Sequence, residues 1–377
     1  MSDEVALILV LVGLHLMESC TIVPHGTVVF RTTWWVRHTA TRAGALLRVS
    51  RGRFVFLNPL DPRARVTVTG LPHIQLTADG VLDAAPEEDN ALRRRPFVPW
   101  SAIGPTRAAG SSVACEGLGV LDCGSPAAAR VWARVLNTLR LATPARRAAL
   151  ADRWLRIRFS PTIAGRRQER VDHACRALEV VASAAFLVLA AGAVLVTRRV
   201  STPILLGFLG TGVFSGLALA ILYWRAHARL EPRDWTTRLG RALMIAACFP
   251  IAFRARASLG RDALALVHPA AVAAALLPQG RARGFLAATL RRWTHLAAPP
   301  DVGSRDEATL RPAAAAISTQ VEAIARASGI DPAALVDSPR LGDSSIRSWC
   351  PRCLATYVHA SGVCAECPGV PLQPARR

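Results

Sequence analysis

The chain contains no lysine. All 46 basic residues are arginine, set against 26 acidic ones, for a formal net charge of +20 over 377 residues. That absence removes three chemistries: Schiff-base catalysis, the phosphate-cradling lysine of a P-loop, and a lysine general base. Aromatic residues are scarce at 6%. They are not interleaved with the arginines, which argues against stacking on single-stranded nucleic acid. There is no HExxH and no GxSxG, and no pair of carboxylates stands at helical spacing to face one pocket. Gly104 to Ser112 has the glycines of a P-loop, but its spacing is one residue too long and its lysine is missing. His173 and Cys175 are close in sequence, with nothing to orient them as a thiol–imidazole pair. His268, on an apolar stretch, reads as a satisfied core histidine rather than a ligand. The abundance of alanine and arginine points to GC-rich coding before it points to chemistry.

Sulfur near the C-terminus is the most specific feature present. Cys350-Pro-Arg-Cys353 is followed, after ten residues, by Cys364-Ala-Glu-Cys367. Two CxxC turns supply four thiolates, the number that tetrahedral Zn²⁺ takes. The stretch between them is long enough for a short hairpin. It holds too little apolar material to fold alone, so a metal on Cys350, Cys353, Cys364 and Cys367 would supply the folding energy. Tyr357 and Val358 are expected over the site, with Leu372 closing its other side. A pair of disulfides is the rival reading, and it needs an oxidising compartment. An iron site uses similar turns at longer separation. His359 could replace one ligand, but with four cysteines in register it reads as an exposed hairpin residue. Cys20, Cys115, Cys123, Cys175 and Cys248 are scattered singly and read as reduced, mostly buried thiols.

Two runs, Val180 to Thr197 and Ile204 to Trp224, are apolar and free of charge. As helices they would be roughly 27 and 31 Å long, close to the ~30 Å hydrocarbon core of a bilayer. Only Arg198 to Pro203 separates them, with Pro203 suited to a first helical turn. This predicts a transmembrane hairpin within residues 178–224. A buried soluble hairpin would normally carry a polar stripe, which these runs lack. Arginine is denser outside the pair than between its members, which places both flanks in the cytoplasm. Gly210, Gly212 and Gly216 have dinucleotide-like spacing without a strand-turn-helix around them. Gly212 and Gly216 instead predict a close-packing face against Ala190 to Ala193. Val5 to Met17, preceded by acidic residues and followed by arginines, reads as a third anchor within residues 1–24.

Outside these runs, residues 26–145 carry short β-type segments punctuated by turns. They are Thr27 to Phe30, Leu46 to Val49, Arg53 to Leu57, Val66 to Val68, His73 to Leu76, Gly80 to Leu82 and Phe97 to Ile103, then Ser112 to Cys115 and Leu118 to Leu121. Pro126 then opens a helix to about Arg140, with Val131, Trp132, Val135, Leu136 and Leu139 as its inner stripe. Residues 233–298 read as soluble or interfacial helices. Within residues 301–348, a polar segment leads to a helix from about Pro312 to Ser328 that ends at Gly329, and Asp337 to Ser348 form a linker into the C-terminal segment. Many short strands closed by one helix resemble bacterial pleckstrin-homology-like modules.

Residues 349–377 resemble the zinc ribbons appended to many bacterial proteins. With the apolar pair and the strand-rich part upstream, the whole chain resembles uncharacterised bacterial membrane proteins carrying such a ribbon. The resemblance implies a metal but no activity. The expected fold is a multidomain α+β membrane protein: strand-rich domain, transmembrane helical hairpin, helical region and zinc ribbon. The expected place is the bacterial inner membrane, with the strand-rich domain and the ribbon in the cytoplasm. The expected partners are the lipid bilayer, anionic lipid heads near the arginines, and a protein bound by the cytoplasmic part. Nucleic acid bound by the ribbon is the less favoured partner, and a membrane enzyme with an unrecognised site is the third reading.

Overall fold

The fold is taken from a computed structural model. It describes residues 20–23, 28–31, 46–48, 53–56, 66–69, 74–83, 97–123, 126–198, 202–231, 234–277, 279–297, 305–336, 345–350, 356–365 and 370–374. Residues 5–17, read above as an anchor, lie outside that set.

The described chain is mostly helical, with five small sheets of two or three strands. This overturns the expectation of one strand-rich, pleckstrin-homology-like domain over 26–145. Strand β1 (Cys20–Val23) pairs with β4 (Arg53–Phe56), and β2 (Val28–Arg31) lies between β3 (Leu46–Arg48) and β5 (Val66–Thr69). A separate meander joins β6 (Ile74–Leu76), β7 (Gly80–Asp83) and β8 (Phe97–Pro99), and another joins β9 (Thr106–Ala109), β10 (Ser112–Cys115) and β11 (Gly119–Asp122). The physical reason is pairing. A run of three or four β-type residues announces a strand but not its neighbour, and these neighbours are divided among separate sheets. By contacts the chain forms two compact units. One comprises Met1–Thr39, Leu47–Gly70 and Arg166–Ala265, and the other Ala40–Leu46, Leu71–Gly165 and Leu266–Arg377.

In the second unit, helix α1 (Pro126–Leu141) buries Ala128, Ala129, Trp132, Val135, Leu136 and Leu139 at helical spacing. It packs on β9 and β10. Asn137 fixes the contact: its amide donates to the Thr106 carbonyl at 2.8 Å, and its own oxygen accepts from Thr106 N–H at 3.1 Å. Gly117, at φ +90°, turns the chain between β10 and β11 where a Cβ would strike the Ala102 carbonyl. Helix α2 (Pro144–Arg158) packs on β6.

In the first unit, parts of helices α3 (Pro161–Arg198), α4 (Thr202–Leu230), α5 (Trp235–Ala247) and α6 (Ala252–Ala263) share one core. Val171, Cys175, Leu178, Ala182 and Ala185 of α3 meet Leu219, Ala220, Tyr223 and Ala226 of α4, Ile245 of α5 and Leu259 of α6. Among the described residues no helix is long and apolar enough to cross a membrane. The expected transmembrane hairpin at 178–224, and the arginine-based orientation drawn from it, are therefore corrected. An uncharged apolar run has two media open to it, lipid or the interior of a protein, and hydropathy along the chain does not separate them. Here the described part of each run contributes a stripe to a helical core.

The second unit continues with α7 (Pro269–Leu276), α8 (Gln279–Ala297), α9 (Arg305–Ala327) and α10 (Ala333–Val336). Helix α8 packs against α7, α9 and α10. Helix α9 begins before Pro312, which it carries inside, and stops where Gly329 takes φ +69°.

Candidate metal centre and apolar surface

The C-terminal sheet is built around a two-residue strand. Strand β12 (Ser348–Trp349) pairs antiparallel with β13 (Thr356–Tyr357) on one side and with β14 (Gln373–Pro374) on the other. Successive side chains of a strand point to opposite faces. The indole of Trp349 lies under the Arg291 guanidinium of α8, 5.6 Å from its centroid, and is fully buried. Cys350, next along, joins the core of the small sheet.

A second turn brings the other cysteine pair to the same place. Val363 bridges Pro371, Cys364 N–H donates to the Val370 carbonyl at 2.9 Å, and Leu372 N–H donates to the Gly362 carbonyl at 2.9 Å. Gly362 sits at φ +136°, a conformation that favours glycine. Cys350, Cys364, Val370 and Leu372 form one buried cluster, with Tyr357 packed against it. Val358, expected over the site beside Tyr357, is instead 67% exposed. His359 is exposed, its ring 5.1 Å from that of Tyr357 and its carbonyl taking the Ser348 hydroxyl at 2.6 Å.

Cys350 and Cys364 are both buried. They come from the two different CxxC turns, and they meet in an apolar enclosure. Two soft sulfur donors would supply half of the tetrahedral set that a structural Zn²⁺ takes. Cys353 and Cys367 lie outside the described residues, so two of the four expected ligands have a described place. Among the described residues no group of three or more His, Cys, Asp and Glu is arranged to hold a metal ion. The sequence reading missed a polar contact here: Tyr357 Oη lies 3.1 Å from Cys364 Sγ. The one available signal was rarity, since the chain has only two tyrosines.

The first unit carries the other unusual feature. Among the described residues, all the exposed large apolar side chains except Val120, Leu141, Val358 and Val363 belong to α3, α4 and α5. On α4 they are Leu206, Val213, Phe214, Leu217, Ile221 and Trp224, which share one face at helical spacing. On α5 they are Trp235, Leu239, Leu243 and Met244. Phe214, at 75% exposure, is the most open of these. A soluble monomer rarely shows contiguous apolar patches above roughly a few hundred Å². At one end of this face Arg225 and Arg229 are exposed, and Arg238 stacks on Trp224 at 4.9 Å.

The positions weighed and set aside for catalysis do not converge. Cys175 is buried in the helical core while His173, two residues away, is exposed. His268 is 3% exposed, stacks on Phe159 at 4.3 Å, and its Nδ1 accepts from Ala270 N–H at 3.1 Å. It closes the first turn of α7 as a cap. Gly104 to Ser112 forms β9 and the turn after it, with no helix following.

Sequence reasoning also missed Arg256 of α6, which pairs with Asp172 and, at 2.6 Å, with Glu179 of α3. Arg256 lies 84 residues from Asp172, and only the packing of α6 on α3 shows their relation.

The chain matches no family model, no curated protein and no solved structure.

Proposed function

We propose that this chain is a scaffold that works at an anionic lipid surface. The helical unit docks through its apolar face, and the C-terminal segment is a structural zinc ribbon that serves binding to a protein partner. The observation that carries this reading is the exposed apolar face of α4 and α5 with arginine and tryptophan at its edge. Charge complementarity selects the occupant. A net charge of +20 favours an acidic surface, and tryptophan suits the headgroup level of a bilayer. Burying one such side chain is worth about 1.5–3 kcal/mol, and each arginine close to an anionic leaflet adds about 1 kcal/mol. The docking needs only one leaflet. The cytoplasmic face of the bacterial inner membrane is the surface that meets these requirements.

Flotation of the full chain with vesicles tests the reading. The chain should rise with vesicles containing phosphatidylglycerol and rise less with pure phosphatidylcholine. Phe214→Asp together with Leu217→Asp should reduce the bound fraction at least tenfold. A chain that stays at the bottom with both vesicles, or that self-associates through this face instead, overturns the lipid assignment.

A further inference from the structure

We infer that Tyr357 is a positioning residue of the metal centre, whose hydroxyl donates a hydrogen bond to the Cys364 thiolate. The inference rests on the zinc reading above and deepens it. Tyr357 is placed by the sheet: it pairs with Ser348 in register, and its carbonyl accepts from Arg347 N–H at 2.9 Å. Its ring packs against the cluster of Cys350, Cys364, Val370 and Leu372. That leaves the phenol oxygen 3.1 Å from Cys364 Sγ. The Ala365 N–H donates to the same oxygen at 3.2 Å.

The direction of the bond to sulfur follows from these two contacts. The amide of Ala365 has no acceptor capacity, so Tyr357 Oη accepts there. A sulfur that ligates a metal has given up its proton and can only accept. The hydroxyl proton therefore goes to Cys364 Sγ, and the amide, phenol and thiolate form a short relay. A hydrogen bond to an ionised acceptor is about twice as strong as a neutral one. It draws electron density from the sulfur, favours the thiolate over the thiol, and fixes the direction in which the sulfur presents its lone pairs. Outer contacts of this kind typically change metal affinity by about 10- to 100-fold when removed. Tyr357 is half-buried and Val358 beside it is exposed, so the sheet turns the tyrosine, not its neighbour, toward the sulfur.

The test uses the full chain loaded with Zn²⁺ for affinity and with Co²⁺ for spectroscopy. Tyr357→Phe keeps the ring and removes only the hydroxyl. It should weaken zinc retention against a chelator about tenfold and move the thiolate-to-cobalt charge-transfer band to lower energy, because the sulfur becomes more electron-rich. Biosynthetic replacement of tyrosine by 3-fluorotyrosine strengthens the donor without a substitution. It should move the band to higher energy. Since the chain has only two tyrosines, the replacement reaches just one other site, Tyr223. Val358→Ala should leave both readouts unchanged. If the unsubstituted chain binds the metal and neither change shifts the band, the role given to Tyr357 is wrong while the zinc reading stands. If the unsubstituted chain binds no metal, both are overturned.

Discussion

Cys175 shows how burial sets chemistry at the level of one residue. It lies in the helical core, and burial first, with Glu179 second, pushes its thiol up to about 12. A thiol whose folded value is raised stabilises the fold fully below its unfolded value, near 9, and that contribution fades as pH climbs toward 12. The chain should therefore lose stability across this alkaline window, and Cys175→Ala should flatten the loss. Melting temperature followed from pH 8 to 11 checks this, and an unchanged slope in the variant would refute it. Arg158 follows the same logic with opposite sign of charge. Burial lowers it to about 10, while its guanidinium donates to the Ile74 carbonyl and lies 5.8 Å over Trp132. The Arg158 environment is not visible in the sequence, because Ile74 and Trp132 are distant from it along the chain.

At the scale of elements, the glycines of α4 separate two positions that the sequence treats alike. A Cβ on Gly216 would come within 2.7 Å of the Ala246 carbonyl on α5. At Gly212 the same atom would meet nothing within 4 Å. The close approach is thus to α5, and not to the Ala190 to Ala193 run expected from spacing. Gly216→Leu should destabilise the helical unit by about 1–3 kcal/mol through overpacking, whereas Gly212→Leu should be near neutral. Equal effects of the two substitutions in a denaturant melt would contradict this account. Several elements were legible beforehand. The stripe of α1 was visible from its 3.6-residue period, and most strands from β-branched runs between turns. Among the strands that precede α1, two were not foreseen. Cys20–Val23 was absorbed into a reading of residues 1–24 as an anchor, and Thr106–Ala109, half alanine and with one arginine, lacks the composition of a strand. Pairing with β4 and β10 makes them strands, which is tertiary context overriding local preference.

For the whole molecule the prediction concerns independence. The C-terminal sheet has two-residue strands and a core of a few side chains, and in the proposed reading a metal supplies the rest of its stability. The helical unit has its own extensive core. Cys364→Ser, or removal of metal by a chelator, should therefore release one Zn²⁺ and open residues 345–374 to protease. The melting of the helical unit should stay where it was. Loss of both together in one transition would show that the ribbon is not a separate folding element.

The sequence alone determined that lysine chemistry is excluded, that a strong positive charge must be accommodated, and that four cysteines stand as two CxxC pairs ten residues apart. These are properties of composition and spacing, which folding does not alter. It also marked α1 by its 3.6-residue period and parts of α3 and α4 by their apolar runs, whereas α2 was not foreseen. Tertiary structure decided the rest: that parts of the apolar runs lie in a helical core, that the short strands are shared among five sheets, that Cys350 and Cys364 share one cluster, and that Tyr357 reaches the sulfur. Each of these depends on which surfaces meet across long stretches of chain, and apolar character or strand propensity records only that a surface wants a partner, not which partner it finds.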